Sequence, residues 1–217
     1  MAPDPRRLIP DATLAVLAGG RSGRFGTDKA LAILQGRTLL LRAVERLGPA
    51  FAETLVVANR ADRFGDVPGA RMVADRFPNR GPLAGIHAAL EESAHDMVLV
   101  TTVDAPLVDL PLLAGLADAT LVAPAASFER DGFLYPFPAA FRRGACLETA
   151  RSLLRDGSPD PARRGRDPRP LDFLRLVRAA MIPLPPADPA GGPDPLADVD
   201  TREDLAAIER LLSGRDG

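Results

Sequence analysis

The residues best suited to chemistry are concentrated in Leu17-Ala18-Gly19-Gly20-Arg21-Ser22-Gly23-Arg24-Phe25-Gly26-Thr27-Asp28-Lys29. The glycines allow backbone N–H groups to approach an anion closely, as a phosphate chain requires. Arg24 and Lys29 add two kinds of positive charge, since a guanidinium grips oxygens bidentately and an ammonium acts as a point charge. Together they suit a nucleoside triphosphate. The segment is not a Walker A loop, because Lys29 follows Asp28 and precedes Ala30. It is not a dinucleotide fingerprint either, because no G-x-G-x-x-G spacing occurs among its glycines.

Aspartates supply the complementary chemistry. Asp104 closes the apolar run 97–103 and precedes Ala105-Pro106, so it is expected at the C-terminal edge of a parallel sheet, where α/β sites lie. A carboxylate there can hold Mg²⁺ against phosphate oxygens; the competing reading is a helix N-cap. Asp198 and Asp200 flank Val199 on a short extended segment, and only one of them, Asp200, is expected to face the site; capping the helix that follows is the competing role. Asp75 follows a short strand-like run and competes with an ordinary surface charge. A protein nucleophile is unsupported, because Ser22 has no recognisable His/Asp partner set. Two histidines, His87 and His95, and the single Cys146 make no metal-ligand cluster and read as structural or merely exposed.

Positioning these residues requires alternating strands and helices. Strand-like runs are predicted at 13–17, 54–57, 71–74, 97–103 and 121–123, with a hairpin over 128–134 turning at Asp131-Gly132. Helical spacing covers 39–47, 83–93, 110–116, 144–154 and 201–212, the last opened by Thr201 and Asp204 as a capping pair. Stretches 156–170 and 183–195 are so rich in proline, glycine and charge that they read as surface loops. The expected fold class is α/β, a mainly parallel sheet flanked by helices. Residues 1–10 are expected as a flexible tail and 11–217 as one domain.

Composition narrows the partners. With 217 residues and 46% hydrophobic content the chain can bury a full core. A formal net charge of -2 and a pI near 5.8 favour neither nucleic acid nor an anionic membrane, leaving small molecules as the expected partners. The polar, proline-rich residues 1–10 do not read as a signal peptide, and no apolar run approaches a membrane span of about 20 residues. A lone cysteine forms no internal disulfide, so a cytoplasmic location is expected.

The glycine-rich segment resembles the L-A-G-G-x-S-x-R-M-G-x-D-K signature of the molybdenum cofactor guanylyltransferase family, with Phe25 in place of the methionine. The resemblance continues in the family's order through Ala58-Asn59-Arg60, Asp75, Gly81-Pro82-Leu83-Ala84-Gly85, Asp104-Ala105-Pro106 and Asp198-Val199-Asp200-Thr201. It implies a Rossmann-like nucleotidyltransferase domain that joins GMP from GTP to the phosphate of molybdenum-bound molybdopterin, releases pyrophosphate and uses Mg²⁺. It further implies that Leu17, Ala18, Gly19, Gly20, Lys29, Asp75 and Asp104 bind nucleotide, that Arg24 and Lys29 neutralise phosphate charge, and that Asp104 and Asp200 hold the metal. Two positions depart from the pattern: Val57 replaces an asparagine that contacts nucleotide, and the acidic pair stands where asparagines are usual. The alternatives are a relative using CTP or another phosphorylated acceptor, and a nucleotide-binding regulator without turnover. Arg163, Arg164, Arg166 and Arg169 could attract the phosphate of a pterin, although a solvated loop is the favoured reading.

Overall fold

The computed structural model describes residues 9–19, 28–59, 64–78, 80–157, 167–184 and 194–213. Strand β1 (Ile9–Leu17) lies between two parallel neighbours, β4 (Phe51–Ala58) and β6 (Met97–Thr102). A strand covered on both faces must be apolar throughout, which is why Leu14-Ala15-Val16 is continuous rather than alternating, each residue 0% exposed. Beyond β4 lies β5 (Arg71–Ala74); beyond β6 lie β8 (Phe133–Arg142), β7 (Ala125–Arg130) and β9 (Ala180–Pro183). The seven strands run in the order β5-β4-β1-β6-β8-β7-β9, and β8 alone opposes the others. A separate two-stranded ribbon, β2 (Ile33–Leu34) with β3 (Arg37–Thr38), turns through Gln35 and Gly36 at φ 50° and 75°.

Side-chain alternation splits the core between the two faces of the sheet. Leu14 and Val16 pack with helices α1 (Leu39–Leu47), α3 (Leu110–Ala119) and α6 (Arg202–Ser213). Ala15 and Leu17 pack with α2 (Pro82–Glu92), α4 (Arg143–Asp156) and α5 (Pro170–Leu176). The expected sheet with helices on both faces is therefore present. Among the described residues no helix is long and apolar enough to cross a membrane.

Several expectations are corrected. No strand forms at 121–123: α3 runs on to Ala119, Thr120 returns its hydroxyl to Ala117 O at 2.7 Å, and successive turns carry the chain to β7. Leu121 and Val122 are consequently 69% and 92% exposed. The hairpin forms as expected, with Asp131 and Gly132 both at positive φ. Helix α5 and strand β9 were not expected; α5 begins at the edge of a stretch read as loop, with Pro170 at its first position, where a missing N–H costs nothing. β1 opens at Ile9, and residues 1–8 lie outside the described residues.

Candidate active site

From β1 the chain fills one side of the sheet with β4 and β5, then crosses to β6 on the other side of β1. That reversal opens a crevice at the C-terminal ends of β1 and β6. Leu17 is registered with both Val57 and Thr102, and the ladders close with Ala18 N–H to Val57 O at 2.8 Å and Val103 N–H to Leu17 O at 3.2 Å. A cavity of about 390 Å³ opens at this edge, with Leu17, Ala18, Gly19, Lys29 and Asp104 in its lining.

Lys29 begins a single 3₁₀ turn whose N-cap, Asp28, accepts from Ala30 N–H at 3.2 Å. Its Nζ lies 2.6 Å from Asp200 Oδ1 and 3.4 Å from Asp104 Oδ2. Burial alone would lower the lysine pKa, but the hydrogen bond to Asp200 and the charges of Asp104 and Asp200 outweigh it and raise it. The ammonium therefore stays charged throughout the neutral range.

Asp104 sits in the turn after β6 and is not a helix cap; that role belongs to Asp109, which accepts from Leu112 N–H at 3.0 Å. The carbonyl of Asp104 accepts from Val199 N–H at 2.7 Å, tying the C-terminal segment to the site. Val199 is 0% exposed, and on extended chain the residues either side of an inward side chain share the opposite face. The expectation that only one acidic residue faces the site is thus corrected: Asp198 lines the cavity while Asp200 pairs with Lys29. Asp198 is still reached by solvent, yet crowding by protein, then the charges of Asp104 and Asp200, push its carboxyl up to about 6. The capping pair forms as read, Thr201 Oγ1 accepting from Asp204 N–H at 3.1 Å and Asp204 from Thr201 N–H at 2.7 Å.

Asp75 follows β5 and does not line the cavity; its carboxylate accepts from Phe77 N–H at 2.7 Å, and burial raises its pKa. Val57, 2% exposed, is core beneath α2, whereas Asn59 is exposed beside the loop, its Oδ1 3.3 Å from where a Cβ on Gly19 would stand. Gly81 enters α2 at φ 73°, Pro82 lines the cavity, and a Cβ on Gly85 would lie 3.2 Å from Leu17, so glycine lets α2 approach β1 closely. Gly20, Ser22, Arg24, Arg163, Arg164 and Arg166 lie outside the described residues. Arg169 is paired with Asp172 at 3.2 Å and does not line the cavity. His87 is buried edge-on to Phe77, its pKa lowered by burial; His95 contacts Thr13 Oγ1 at 3.1 Å.

No sequence motif marks the opposite wall, formed by Phe133, Tyr135, Pro136, Phe137 and Leu196. The available signal was crowding: five of the chain's ten aromatic residues fall between Phe128 and Phe141.

A sequence model of the MobA-like NTP transferase domain matches residues 14–168. A molybdenum cofactor guanylyltransferase from Rhizobium johnstonii is 37% identical over 212 residues, covering 91% of each chain. A relative from Chloroflexus aggregans, described as a probable molybdenum cofactor guanylyltransferase, is 42% identical over 142 residues, 63% of this chain and 68% of that one. Molybdopterin-guanine dinucleotide biosynthesis protein A from Archaeoglobus fulgidus superposes with a TM-score of 0.76 at 22% identity, covering 93% of this chain and 99% of that one. For the 2-C-methyl-D-erythritol 4-phosphate cytidylyltransferase of Thermus thermophilus the TM-score is 0.67 at 19% identity, with 92% and 98% covered. At such identities the two structures speak for the fold alone, and that fold is a nucleotidyltransferase domain. The match over most of the chain, carried by a relative aligned along nearly its full length, makes this chain a member of the MobA-like NTP transferase domain family.

Proposed function

We propose that this chain transfers GMP from GTP to the phosphate of molybdenum-bound molybdopterin, forming molybdopterin guanine dinucleotide and releasing pyrophosphate. Family membership and the name of the relative aligned along most of its length support the reaction class and its substrates. The observation that carries the reading is the meeting of Lys29 with Asp104 and Asp200 at the mouth of the switch-point cavity. A cationic group beside two carboxylates at this edge suits a triphosphate and its metal.

In this reading Leu17, Ala18, Gly19 and Gly20 lay backbone along the nucleotide, and Asp75 bounds it on the β5 side. An acceptor phosphate oxygen attacks the α-phosphorus in line; the new P–O bond forms as the α–β bridging bond breaks, and pyrophosphate leaves. Positioning and charge neutralisation supply most of the catalysis in such a transfer, so no protein nucleophile is required. The phosphate acceptor is already deprotonated, so no strong general base is needed. Lys29 and Arg24 offset the charge that builds on the leaving pyrophosphate.

Among the described residues no three His, Cys, Asp or Glu side chains are grouped to hold a metal. Magnesium uses one or two carboxylates and completes its shell with phosphates and water, and Asp104 and Asp200, hard oxygen donors already gathered about one cation, fit that demand. When bound there, Mg²⁺ would supply positive charge against the triphosphate oxygens. A cytoplasmic site of action fits the supply of GTP and Mg²⁺.

The test is pyrophosphate release with each of four nucleoside triphosphates, with and without molybdopterin. Release with GTP only when molybdopterin is present is expected. Release with CTP alone would change the base and keep the reaction class; binding without release for any triphosphate would make the chain a regulator.

A further inference from the structure

Antiparallel pairing of β8 with β6 brings the aromatic wall to the reacting centre. The ladder ends with Val100 registered to Ala139; from there β6 runs on toward Asp104, while the antiparallel β8 arrives from Phe133 and Tyr135. The start of β8 therefore stands beside the turn that carries Asp104, and both line one cavity. Phe133, at the lip, is 63% exposed, and its ring meets Tyr135 edge-to-face, centroids 5.0 Å apart at 75°. A single exposed phenylalanine is ordinary. One braced by a second ring, in the wall of a cavity that also holds Asp104 and Asp198, offers aromatic surface to whatever occupies the cavity.

The position relative to Asp104 decides which ligand that is. Gly19, Asn59 and Pro82 lie on the β4 side of the reacting centre; Phe133 and Tyr135 lie on the β8 side. In-line transfer requires attacking and leaving oxygens on opposite sides of the α-phosphorus. A nucleotide held by the glycine-rich segment leaves the β8 side to the acceptor. We infer that Phe133, held across the ring of Tyr135, supplies the face on which the acceptor's planar pterin ring stacks, with Tyr135 as its brace, making the pair determinants of acceptor specificity. The inference rests on the nucleotidyltransferase reading with a pterin acceptor.

Tyr135 is the only tyrosine and the chain has no tryptophan, so intrinsic emission excited at tyrosine wavelengths reports this one residue. Titration with 6-hydroxymethylpterin phosphate should quench that emission saturably. GTP with Mg²⁺, followed in parallel by calorimetry, should bind without comparable quenching. Phe133→Ala should weaken the pterin by roughly tenfold, as loss of one stacking partner does, and raise KM for molybdopterin far more than it lowers kcat. Phe133→Leu, which keeps apolar area without a π face, should behave like the alanine variant; Phe133 is exposed enough for both to fold. Pterin binding unchanged in either variant, or no quenching by pterin while GTP binds normally, overturns the platform and leaves the transferase reading intact. Quenching by GTP, with weaker GTP binding in Phe133→Ala, would assign the wall to the base and overturn the inference. Failure of the wild-type protein to bind GTP at all, seen by calorimetry without reference to Tyr135, would instead bring down the underlying reading.

Discussion

Val199 donates its backbone N–H to the carbonyl of Asp104 across 2.7 Å, and through that bond the C-terminal segment is pinned to the turn after β6. Asp198 and Asp200, the neighbours of Val199, take their places beside Asp104 from main-chain geometry rather than from side-chain reach. Main-chain geometry thus sets where these carboxylates stand relative to Lys29.

Asp104→Asn should lower turnover by about 10²–10³ fold, the usual cost of removing one group that stabilises developing charge. It should also weaken Mn²⁺ binding measured by calorimetry, since an amide is a poorer ligand for a hard cation. Chelation of divalent metal should abolish turnover. Asp200→Asn is expected to resemble Asp104→Asn more closely than Asp198→Asn does; the reverse order would move the second ligand to Asp198.

Lys29→Ala should reduce turnover by orders of magnitude while thermal unfolding shifts little, because a loop lysine at a solvent-reached site contributes little to stability. The variant leaves Asp104 and Asp200 without their shared cation, so its Tm should rise when Mg²⁺ is added, more than the wild-type Tm does. Since its two partners raise the Lys29 pKa, deprotonation lies above its ordinary value of about 10.4. No alkaline limb from Lys29 should therefore appear in the rate profile of the free protein below that pH.

At the N-terminal edge of the sheet, away from the site, Glu53 accepts from Thr13 Oγ1 at 2.8 Å, Ala94 N–H at 2.9 Å and Arg71 at 2.9 Å. Burial alone would raise its pKa, but the hydrogen bonds from Ala94, Arg71 and Thr13 overcome this and hold it low. A carboxylate depressed in the folded state adds stability that is whole above its unfolded pKa, about 4.3, and is lost as pH falls through the folded value. Glu53→Gln should cost about 1–3 kcal/mol at neutral pH, and its stability should fall less steeply than wild type below about pH 4.3. Cys146 offers the measurement at neutral pH: buried against Pro124 O and pushed up to about 12 by burial, it should react with thiol reagents at pH 8 only through unfolding, while circular dichroism follows the acid limb.

Much of this was legible from residue type alone. Apolar runs named β1, β4, β5 and β6, and the glycine, lysine and aspartate motifs named Lys29, Asp104 and Asp200, because local pattern and ligand chemistry set both. The shared facing of Asp198 and Asp200 was also available, since period two puts them together once Val199 is recognised as core. The β8 wall was not legible as a wall. Phe133 and Tyr135 come to line the cavity of Asp104 through long-range antiparallel pairing of β8 with β6, which no local spacing encodes. Helix α5 went unassigned beyond the loop-like stretch that ends at Pro170, although its buried Phe173 and Leu174 join the core with α4.

The base is the remaining question, and GTP is expected to be preferred over CTP. Gly19-Gly20 and Gly81-Pro82-Leu83 stand in the motifs by which the chain resembles the guanylyltransferase family. Val57 cannot decide the matter from the cavity, because its side chain is core. Asn59 can: it is exposed at the end of β4, with its amide oxygen next to Gly19, and an amide offers both a donor and an acceptor to a base edge. Size alone discriminates by about 10–200-fold, while a site built to hydrogen-bond one partner discriminates far more strongly. Asn59→Ala should therefore erode the GTP-to-CTP ratio, and Gly19→Ala, whose Cβ would press on Asn59 Oδ1 at 3.3 Å, should erode it in the same direction. The check is calorimetric titration of each variant with GTP and CTP in Mg²⁺, followed by turnover with molybdopterin. Equal or tighter binding of CTP by the wild-type protein, with cytidylyl transfer, would sink the guanine preference; an unchanged ratio in both variants would remove Asn59 from base selection.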